Sequence, residues 1–449
     1  MPYDSLPELV ALERSSDGIR IPPDVTVPVT GRVRSLIDTA AFRRLARISQ
    51  LGLVALVYPG ATHSRFEHSL GVFRLALEFL ARLRRDARFT AAIGEDDAAA
   101  FVVAALLHDL GHWPYCHPLE DLGLPELARH ESLVAGIVGG GALSDVLRRE
   151  WGLDPGRVAS LVGGTATDRA GVLLQSLLSG PVDVDKMDYL ARDSLHAGVP
   201  YGRHFDQERL LASLCIDPTG TRLAITDKGR TAAELMVFAR YVMFSEVYWH
   251  HAVRAATAML QRAVWLVSAR VDPRVVVGMD DGRFAAWLLD AASGTRAETL
   301  AEGLFGTERV LLKRVGTFDA VGHPEIHGAL AGRPYGETVE ISRRLATRLA
   351  VRLGVAVDAD TLLIDAPPAE REVEFRLDVR QGARETGAAE ASWRTLGELS
   401  PVVRSLAREQ FDDLVKRVRI FAPADTAAAI RRLPGGVVPD LLACLAGAS

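Results

Sequence analysis

Cysteine is scarce in this chain, with three residues among 449. Cys116, Cys215 and Cys444 lie far apart and show no C-x-x-C spacing. Neither a disulfide framework nor a thiolate zinc site is therefore indicated. The thiol content fits a reducing compartment, and we expect the protein in the cytoplasm.

The sequence also lacks an excess of positive charge and long apolar runs. Its formal net charge is −5, which provides no overall basic field for nucleic acid or an anionic membrane, so nucleic acid is an unlikely partner. The N-terminal residues carry early acids and no basic segment followed by an apolar stretch, so no signal peptide is predicted. The apolar run Ala98–Leu107 has ten residues, about half of the ~20 that cross a bilayer. We therefore interpret it as a buried helix and expect no membrane association.

The composition, 48% hydrophobic and 24% charged, is typical of a globular protein. Apolar residues three and four apart predict helices through most of the first 270 residues. After that point strand-like pieces such as TLLIDAPP, REVEFRLDVR and KRVRIFAP are mixed with helices. The predicted fold is mainly α, with a smaller α+β C-terminal region. The predicted domains are an extended N-terminal segment (1–30), a helical catalytic core (31–270) and the α+β region (271–449).

Histidine is concentrated in one part of the chain, since six of the twelve histidines lie between positions 63 and 130. The stretch AAAFVVAALLHDLGH predicts an apolar helix that delivers His108 and Asp109 at its C-terminal end. An adjacent imidazole and carboxylate can bind divalent ions, and His68 and Asp185 are the candidates for the two further ligands. The alternative for the pair alone is that it caps a helix end, where a histidine side chain suits the helix dipole.

The order His68, His108 with Asp109, and Asp185 resembles the defining H…HD…D motif of the HD superfamily of phosphohydrolases. The segments LIDTAAFRRLARISQLG, YPGATHSRFEHSLGV, LLHDLGHWPYCH, HESLV and DVDKMDYLARD follow one another as in the HD-domain dNTP triphosphohydrolases. The resemblance covers about residues 31 to 255 and becomes looser after 330; no SAM domain is expected within the first 30 residues. It implies a helical HD-domain core and hydrolysis of a dNTP to deoxynucleoside and triphosphate.

The resemblance also implies the residues that would bind the substrate. Asp185, Tyr189 and Asp193 are spaced by four, so they share one helix face, with Lys186 alongside. Tyr189 against the deoxyribose would exclude a 2′-hydroxyl, and Asp193 would bind the 3′-hydroxyl. The other matching positions, for the phosphates, sugar and base, are Gln50, Leu51, Arg65, Arg240, Tyr248 and His250.

The same resemblance implies a second group of residues that would carry out acid–base chemistry. A proton donor is needed for the leaving 5′ oxygen, and His117 stands at the matching position. Glu120, three residues later, is expected to orient His117 and raise its pKa, although the family usually has Asp there. His112 and His130 match further histidines of the site. Taken singly, each of these histidines could equally be a core residue with satisfied hydrogen bonds.

Some positions depart from the family pattern. Guanine-nucleotide activators are recognised in the family by an Asp, a Gln and an Arg, and here Asp38 is followed by Arg43 and Ala46. A nucleotide activator, a differently built one or constitutive activity are all compatible with this change. His251 stands where a lysine is common. The resemblance implies a homo-oligomer, a dimer or tetramer.

Several alternatives stay open at this level. The divalent metal could be Mn, Fe, Mg, Ni or Zn, because a His2Asp2 set accommodates each of them. The protein could act on another phosphate ester, such as a nucleoside monophosphate, a modified nucleotide or a nucleic-acid end. A non-catalytic nucleotide sensor is the third reading, against which the filled ligand positions argue.

Overall fold

The computed structural model describes residues 2–14, 18–125, 127, 129–368, 376–382, 391–406 and 413–446. Helices dominate, which confirms the mainly α prediction. In chain order the helices α1 to α24 are Pro7–Arg14, Gly31–Ile37, Ala40–Arg44, Arg65–Leu83, Ala87–Ala92, Glu95–Leu107, Cys116–Glu120, His130–Gly139, Gly141–Glu150, Pro155–Val162, Arg169–Ser179, Val184–His196, Gln207–Ser213, Arg230–Met243, His251–Leu266, Pro273–Val277, Asp281–Ala292, Glu298–Phe305, Pro324–Leu330, Tyr335–Leu353, Leu396–Leu399, Pro401–Ser405, Ala424–Arg432 and Val438–Ala446.

The strands form three small sheets. In chain order β1 to β9 are Gly18–Ile21, Val25–Pro28, Leu214–Ile216, Leu223–Thr226, Lys313–Phe318, Leu363–Asp365, Asp378–Gln381, Ser392–Thr395 and Val418–Ala422. Strands β1 and β2 pair as an antiparallel hairpin, and β5-β9-β6 is an antiparallel sheet. The third sheet has the order β3-β4-β7-β8, and its β4–β7 pair is parallel. Strands from before residue 230 and after residue 375 thus share one sheet.

Three helices of the N-terminal half set the framework of the site, because α4 packs against both α6 and α12. Helix α6 is buried along its length from Ala98 to Leu107. Helix α4 begins after Ser64, whose hydroxyl accepts the Glu67 N–H, and α12 begins after Asp183, which accepts the Lys186 N–H. Gly71 permits the close approach of α4 and α12, since a Cβ there would lie 2.0 Å from Asp188 Oδ1.

The apolar side chains form three clusters. The first surrounds α4, α6 and α12 and also includes Leu377, Val379 and Leu396 from the C-terminal region. The second surrounds α15, α17 and α18, and the third joins α20 to the sheet β5-β9-β6. No helix within the described residues combines the length and the apolar content that a bilayer crossing requires.

Three details differ from the expectations or fall outside the description. The segment before Thr30 is not wholly extended, because it contains α1 and the β1–β2 hairpin. The helical spacing of apolar residues over 232–267 does not give one continuous helix, because a π-helical turn at Phe244–Tyr248 lies between α14 and α15. Within REVEFRLDVR, β7 begins at Asp378, and residues 371–375 lie outside the described residues. The domain bounds stay a prediction.

Candidate metal centre and adjoining cavity

The structure brings the four predicted metal ligands together where α4, α6 and α12 meet. His68 lies in the first turn of α4, His108 and Asp109 follow α6 directly, and Asp185 lies in the first turn of α12. His68 Nε2 lies 3.0 Å from Asp185 Oδ1 and 3.2 Å from His108 Nε2, while His108 Nε2 lies 3.3 Å from Asp109 Oδ1. His68, His108 and Asp185 therefore present their ligand atoms to one point, and Asp109 lies beside His108.

The other nitrogen of each imidazole is held by an acceptor. His68 Nδ1 donates to Asp188 Oδ2 at 2.8 Å, and His108 Nδ1 donates to the Ala105 carbonyl at 2.9 Å. These bonds place the Nδ1 protons outward and turn both Nε2 lone pairs toward each other. Two acceptors at 3.2 Å repel unless a cation accompanies them, and the outer carboxylate and carbonyl are the usual supports of metal-binding histidines. The donor set therefore fits a divalent metal ion.

The charges around His68 agree with this interpretation. Burial by itself lowers the pKa of His68, but its bonds to Asp185 and Asp188 and the charge of Asp109 outweigh burial and raise the pKa to about 10. The carboxylates thus stabilise a positive charge at this point, whether a proton or a metal ion carries it. Burial by itself raises the pKa of Asp109, but the charges of His112 and Arg65 outweigh burial and hold this pKa well below the usual range. Arg65 donates to the second oxygen of Asp109 at 2.9 Å.

Polar side chains follow the proposed metal ligand Asp185 along α12. Asp183 is fully buried and accepts a hydrogen bond from Lys186 Nζ at 2.6 Å. One turn further, burial raises the pKa of Tyr189 to about 12, so its phenol stays neutral. Its ring centre lies 6.5 Å from that of Tyr248. Lys186 and Tyr189 therefore line the path from the metal ligands toward Tyr248.

Asp193 ends this row of side chains. It accepts a hydrogen bond from the Tyr248 hydroxyl at 2.6 Å, and its other oxygen bonds His63 Nε2 at 2.9 Å. The His63 ring stacks on His196 with centroids 4.3 Å apart. The Tyr248–Asp193–His63 chain fixes a buried carboxylate that is two helical turns from Asp185.

A second cluster of histidines follows α6. His112 Nε2 lies 3.3 Å from His117 Nε2, and the His112 and His130 ring centroids are 4.0 Å apart. Glu120 departs from its expected role, since its carboxylate bonds the His130 N–H at 2.8 Å and His130 Nδ1 at 3.0 Å. The reason is that the first N–H groups of α8 need an acceptor, and Arg129 provides no side-chain cap. The charge of Glu120 raises the pKa of His117, but burial and the charge of Arg65 outweigh it and lower the pKa to about 4.

A cavity of about 740 Å³ opens beside this second cluster. Among the described residues, the sequence-predicted members of its lining are Gln50, Leu51, Arg65, His117, Glu120, His130 and Tyr248. Gln50 Oε1 is buried there without a hydrogen-bond partner among these residues, so it can accept from a ligand. Ser49, next to it, is held in place by Asp281, which accepts the Ser49 N–H at 2.8 Å.

The remaining predicted residues lie around the π-helical turn. Arg240 is buried, and its guanidinium lies 5.5 Å from the Phe244 ring centre. Burial raises the pKa of Tyr189 and the charge of Arg240 partly offsets this effect, so Arg240 lies near the Tyr189 ring. His250 instead contacts Tyr58 and His251, with ring centroids 5.9 and 4.3 Å apart. The structure thus brings Arg240 close to Tyr189, whereas His250 contacts other rings.

At the position of the expected activator site, Asp38 is the C-terminal cap of α2 and Ala46 lies in the turn after α3. Arg43 places its guanidinium 5.1 Å from the Phe66 ring centre. The side chains at these positions therefore differ from the Asp, Gln and Arg set of the family, and Arg43 contacts an aromatic ring.

Sequence reasoning missed the residues that hold the ligands in place. Asp188 also forms a two-pronged pair with Arg192, at 2.8 and 2.7 Å, and His63 and Asp183 support Asp193 and Lys186. Asp188 could have been found, because it follows Asp185 by one helical turn and metal-binding histidines commonly donate to a carboxylate. His63 carried no such signal, since its partner Asp193 is 130 residues away.

Comparisons with known proteins agree with this geometry. The model of the HD domain matches residues 65–162, and that of the HD associated region matches residues 205–434, about half of the chain. An uncharacterised protein of Bacillus subtilis is 39% identical over 230 residues, covering 51% of this chain and 50% of its own length. The deoxynucleoside triphosphate triphosphohydrolase SAMHD1 of Gallus gallus is 28% identical, covering 59% of this chain and 48% of its own.

The chain spans about half the length of the curated relatives it matches. Among solved structures, a phosphohydrolase from Bacteroides thetaiotaomicron superimposes with a TM-score of 0.67 at 22% identity, covering 91% of this chain and all of that one. This likeness supports the fold.

Proposed function

The chain belongs to the family of HD-domain proteins that carry the HD associated region, and on this premise we propose that it hydrolyses deoxynucleoside triphosphates to deoxynucleoside and triphosphate with a divalent metal ion. The observation that carries the proposal is the row of side chains on α12. Asp185 at its start belongs to the metal centre, and Asp193, eight residues later, is held by Tyr248 and His63. With a rise of 1.5 Å per residue the two lie about 12 Å apart along the helix.

A divalent ion held by His68, His108, Asp109 and Asp185 would act as a Lewis acid toward a phosphate oxygen and lower the pKa of an attacking water. Lys186 and Arg65 are the cations nearest to this point, and each is already aligned by a carboxylate, Asp183 and Asp109. A bound triphosphate would replace the carboxylates as the hydrogen-bond acceptor of Lys186 and Arg65. Arg240, beside Tyr189, adds a third positive charge on the sugar side.

Proton transfer to the leaving 5′ oxygen is assigned to His117. The low pKa of His117 keeps it neutral near pH 7 in the free protein. Incoming phosphate charge raises a histidine pKa, so substrate binding would itself load the proton donor. His112 lies beside His117, and Glu120 holds His130. We assign both histidines to positioning the His117 ring and not to donating the proton.

Sugar selectivity is assigned to Tyr189 and Asp193. The Tyr189 ring centre lies 6.5 Å from that of Tyr248, and with the deoxyribose against this ring a 2′-hydroxyl would be excluded. Asp193 offers its Tyr248-bound oxygen to a 3′-hydroxyl, which would share or displace the phenol. A deoxynucleoside triphosphate as substrate is supported by the relative from Gallus gallus, which is named for this activity.

Three further expectations belong to this proposal. A homo-oligomer follows from the family resemblance, whereas Arg43 and Ala46 leave a nucleotide activator, a differently built activator site and constitutive activity as alternatives. Manganese is the first metal to test. A cytoplasmic location is supported by cysteines that are free thiols.

The test is to incubate the purified protein with Mn²⁺ and each dNTP, alone, mixed and with GTP, and to separate the products by ion-pair chromatography. We expect deoxynucleoside and intact triphosphate in equal amounts. Asp185→Asn should reduce turnover to background, while Asp440→Asn, a buried carboxylate paired with Arg352 in the C-terminal region, should not. Release of monophosphate, or turnover only of other phosphate esters, would replace the dNTP assignment.

A further inference from the structure

A second set of donor atoms lies beside the proposed metal centre. His112, Cys116, His117 and His130 each present one ligand atom, and all four atoms lie within 4.8 Å of one another. They come from three places in the chain: the turn after α6, the first turn of α7 and the start of α8. Cys116 has no part in the proposed hydrolysis, so its position among three imidazoles is unexplained by that function.

The spacing of these atoms suits a tetrahedral ion. His112 Nε2 and His117 Nε2 are 3.3 Å apart. Two nitrogens that bind one zinc ion at ~2.05 Å in tetrahedral geometry are separated by about 3.3 Å. The His130 ring centroid lies 4.9 Å from that of His117 and 4.0 Å from that of His112, so the three imidazoles form one compact group.

Carboxylates support this cluster from outside. Glu120 Oε1 lies 3.0 Å from His130 Nδ1, and Asp109 Oδ1 lies 3.1 Å from His112 Nδ1. Both carboxylates face the Nδ1 atoms, so the Nε2 atoms of His112 and His130 are the ones available for a ligand. Such outer carboxylates are the usual second layer of a histidine metal site. Arg65, which also lines the cavity, is paired with Asp109, and this pairing limits its repulsion of a metal ion.

The thiol separates this cluster from the first centre. The first centre offers nitrogen and oxygen donors alone, which accommodate hard and intermediate ions, whereas sulfur with imidazoles favours zinc. Cys116, His117 and His130 all line the cavity, so an ion can enter from it. Binding replaces the thiol proton by the metal and releases one proton to solvent, while the imidazoles bind as neutral ligands.

We propose that His112, Cys116, His117 and His130 form a second metal site that binds zinc and that zinc there inhibits the protein. The inhibition rests on the proposed function, because zinc would occupy the Nε2 atom of the proposed proton donor His117. The binding of zinc does not rest on it, since it follows from the four donors alone.

Cobalt(II) provides the test, because a thiolate bound to Co²⁺ gives a charge-transfer band in the near ultraviolet that nitrogen and oxygen ligands do not give. The metal-free full-length protein is titrated with Co²⁺ and then with Zn²⁺. We expect the band in the wild type and in Cys215→Ser, whose cysteine is buried outside the cluster, and its loss in Cys116→Ser. Equilibrium dialysis should show one zinc fewer per chain in Cys116→Ser, or an affinity at least tenfold weaker. Cys116→Ala repeats the test if the serine variant misfolds, as judged by circular dichroism.

Activity gives the second readout. With Mn²⁺ and dNTP, added Zn²⁺ should inhibit the wild type and Cys215→Ser at concentrations at least tenfold below those that inhibit Cys116→Ser. Absence of the thiolate band, or equal zinc binding in Cys116→Ser and the wild type, would overturn the site. If the band is present and no dNTP is hydrolysed, the zinc site stands and the proposed function fails; equal inhibition of all three proteins would overturn the inhibitory role.

Discussion

Asp188 is the residue through which the proposed metal centre can be tested without touching a metal ligand. Its Oδ2 accepts the His68 Nδ1 proton at 2.8 Å, and its two oxygens also hold Arg192. Replacement by Asn keeps the shape but removes the charge that fixes the His68 ring and favours a cation at Nε2. Loss of such an outer carboxylate weakens metal affinity by about 10- to 100-fold. This corresponds to about 1.4 to 2.8 kcal/mol.

We expect Asp188→Asn to lower the free energy of unfolding by less than the loss of one partner of a buried ion pair usually does. Removing one partner of a buried ion pair costs on the order of 3 kcal/mol. Arg192 keeps Glu67 at 2.8 Å and the Pro22 carbonyl at 3.1 Å, so its charge is not left alone. We therefore expect Asp188→Asn to fold and to lower the melting temperature moderately.

The assay is Mn²⁺ titration of dNTP hydrolysis together with direct metal binding. We expect the Mn²⁺ dissociation constant to rise by 10- to 100-fold and most of the activity to return at saturating Mn²⁺. Asp440→Asn, which also removes the charge of a buried Asp–Arg pair, serves as control and should leave the metal affinity unchanged. An unchanged dissociation constant in Asp188→Asn, or a loss that excess metal does not restore, would refute the positioning argument.

Three other outcomes are expected. Tyr189→Ala should raise activity on ribonucleoside relative to deoxyribonucleoside triphosphates by removing the ring from the sugar face, and an unchanged ratio in competition assays would contradict this. His117→Gln should reduce turnover by about 10²- to 10⁴-fold while the first centre keeps its metal affinity, as measured by Mn²⁺ binding; full activity would exclude His117 as proton donor. Burial raises the pKa of Asp281 to about 6, above the ~3.9 of an unfolded Asp, so the folded state holds an extra proton between these values and stability falls as pH rises through them. Chemical denaturation of Asp281→Asn should lack that part of the pH dependence, and an identical profile would show that Asp281 does not cause it.

The sequence predicted the framework of the site because periodicity and motif pointed to the same residues. The run Ala98–Leu107 was expected to be a buried helix that delivers His108 and Asp109, and it is. The meeting of His68, His108 and Asp185 was expected from the family pattern, and the three helices place them within bonding distance of a common point. The catalytic and binding roles of these residues stay predictions.

The contacts that orient the ligands could not be predicted in the same way. Glu120 was expected near His117 because the two are three apart in the chain, yet the start of α8 needed a hydrogen-bond acceptor and Glu120 provides it. Spacing along one helix carries no information about a helix end that arrives from elsewhere. Likewise, apolar periodicity continues through residues 232–267 and does not show the π-helical turn that positions Tyr248.

The parallel pairing of β4 with β7 limits how the polypeptide can be divided. Strand β4 hydrogen-bonds a segment that is synthesised much later, and Leu377 and Val379 enter the same apolar cluster as the metal-bearing helices. A fragment ending near residue 270 would leave the backbone edge of β4 unpaired and would expose part of the first apolar cluster to solvent. We therefore expect a fragment of residues 1–270 to be less stable than the whole chain, because native packing around β4 requires a strand that is synthesised more than 100 residues later.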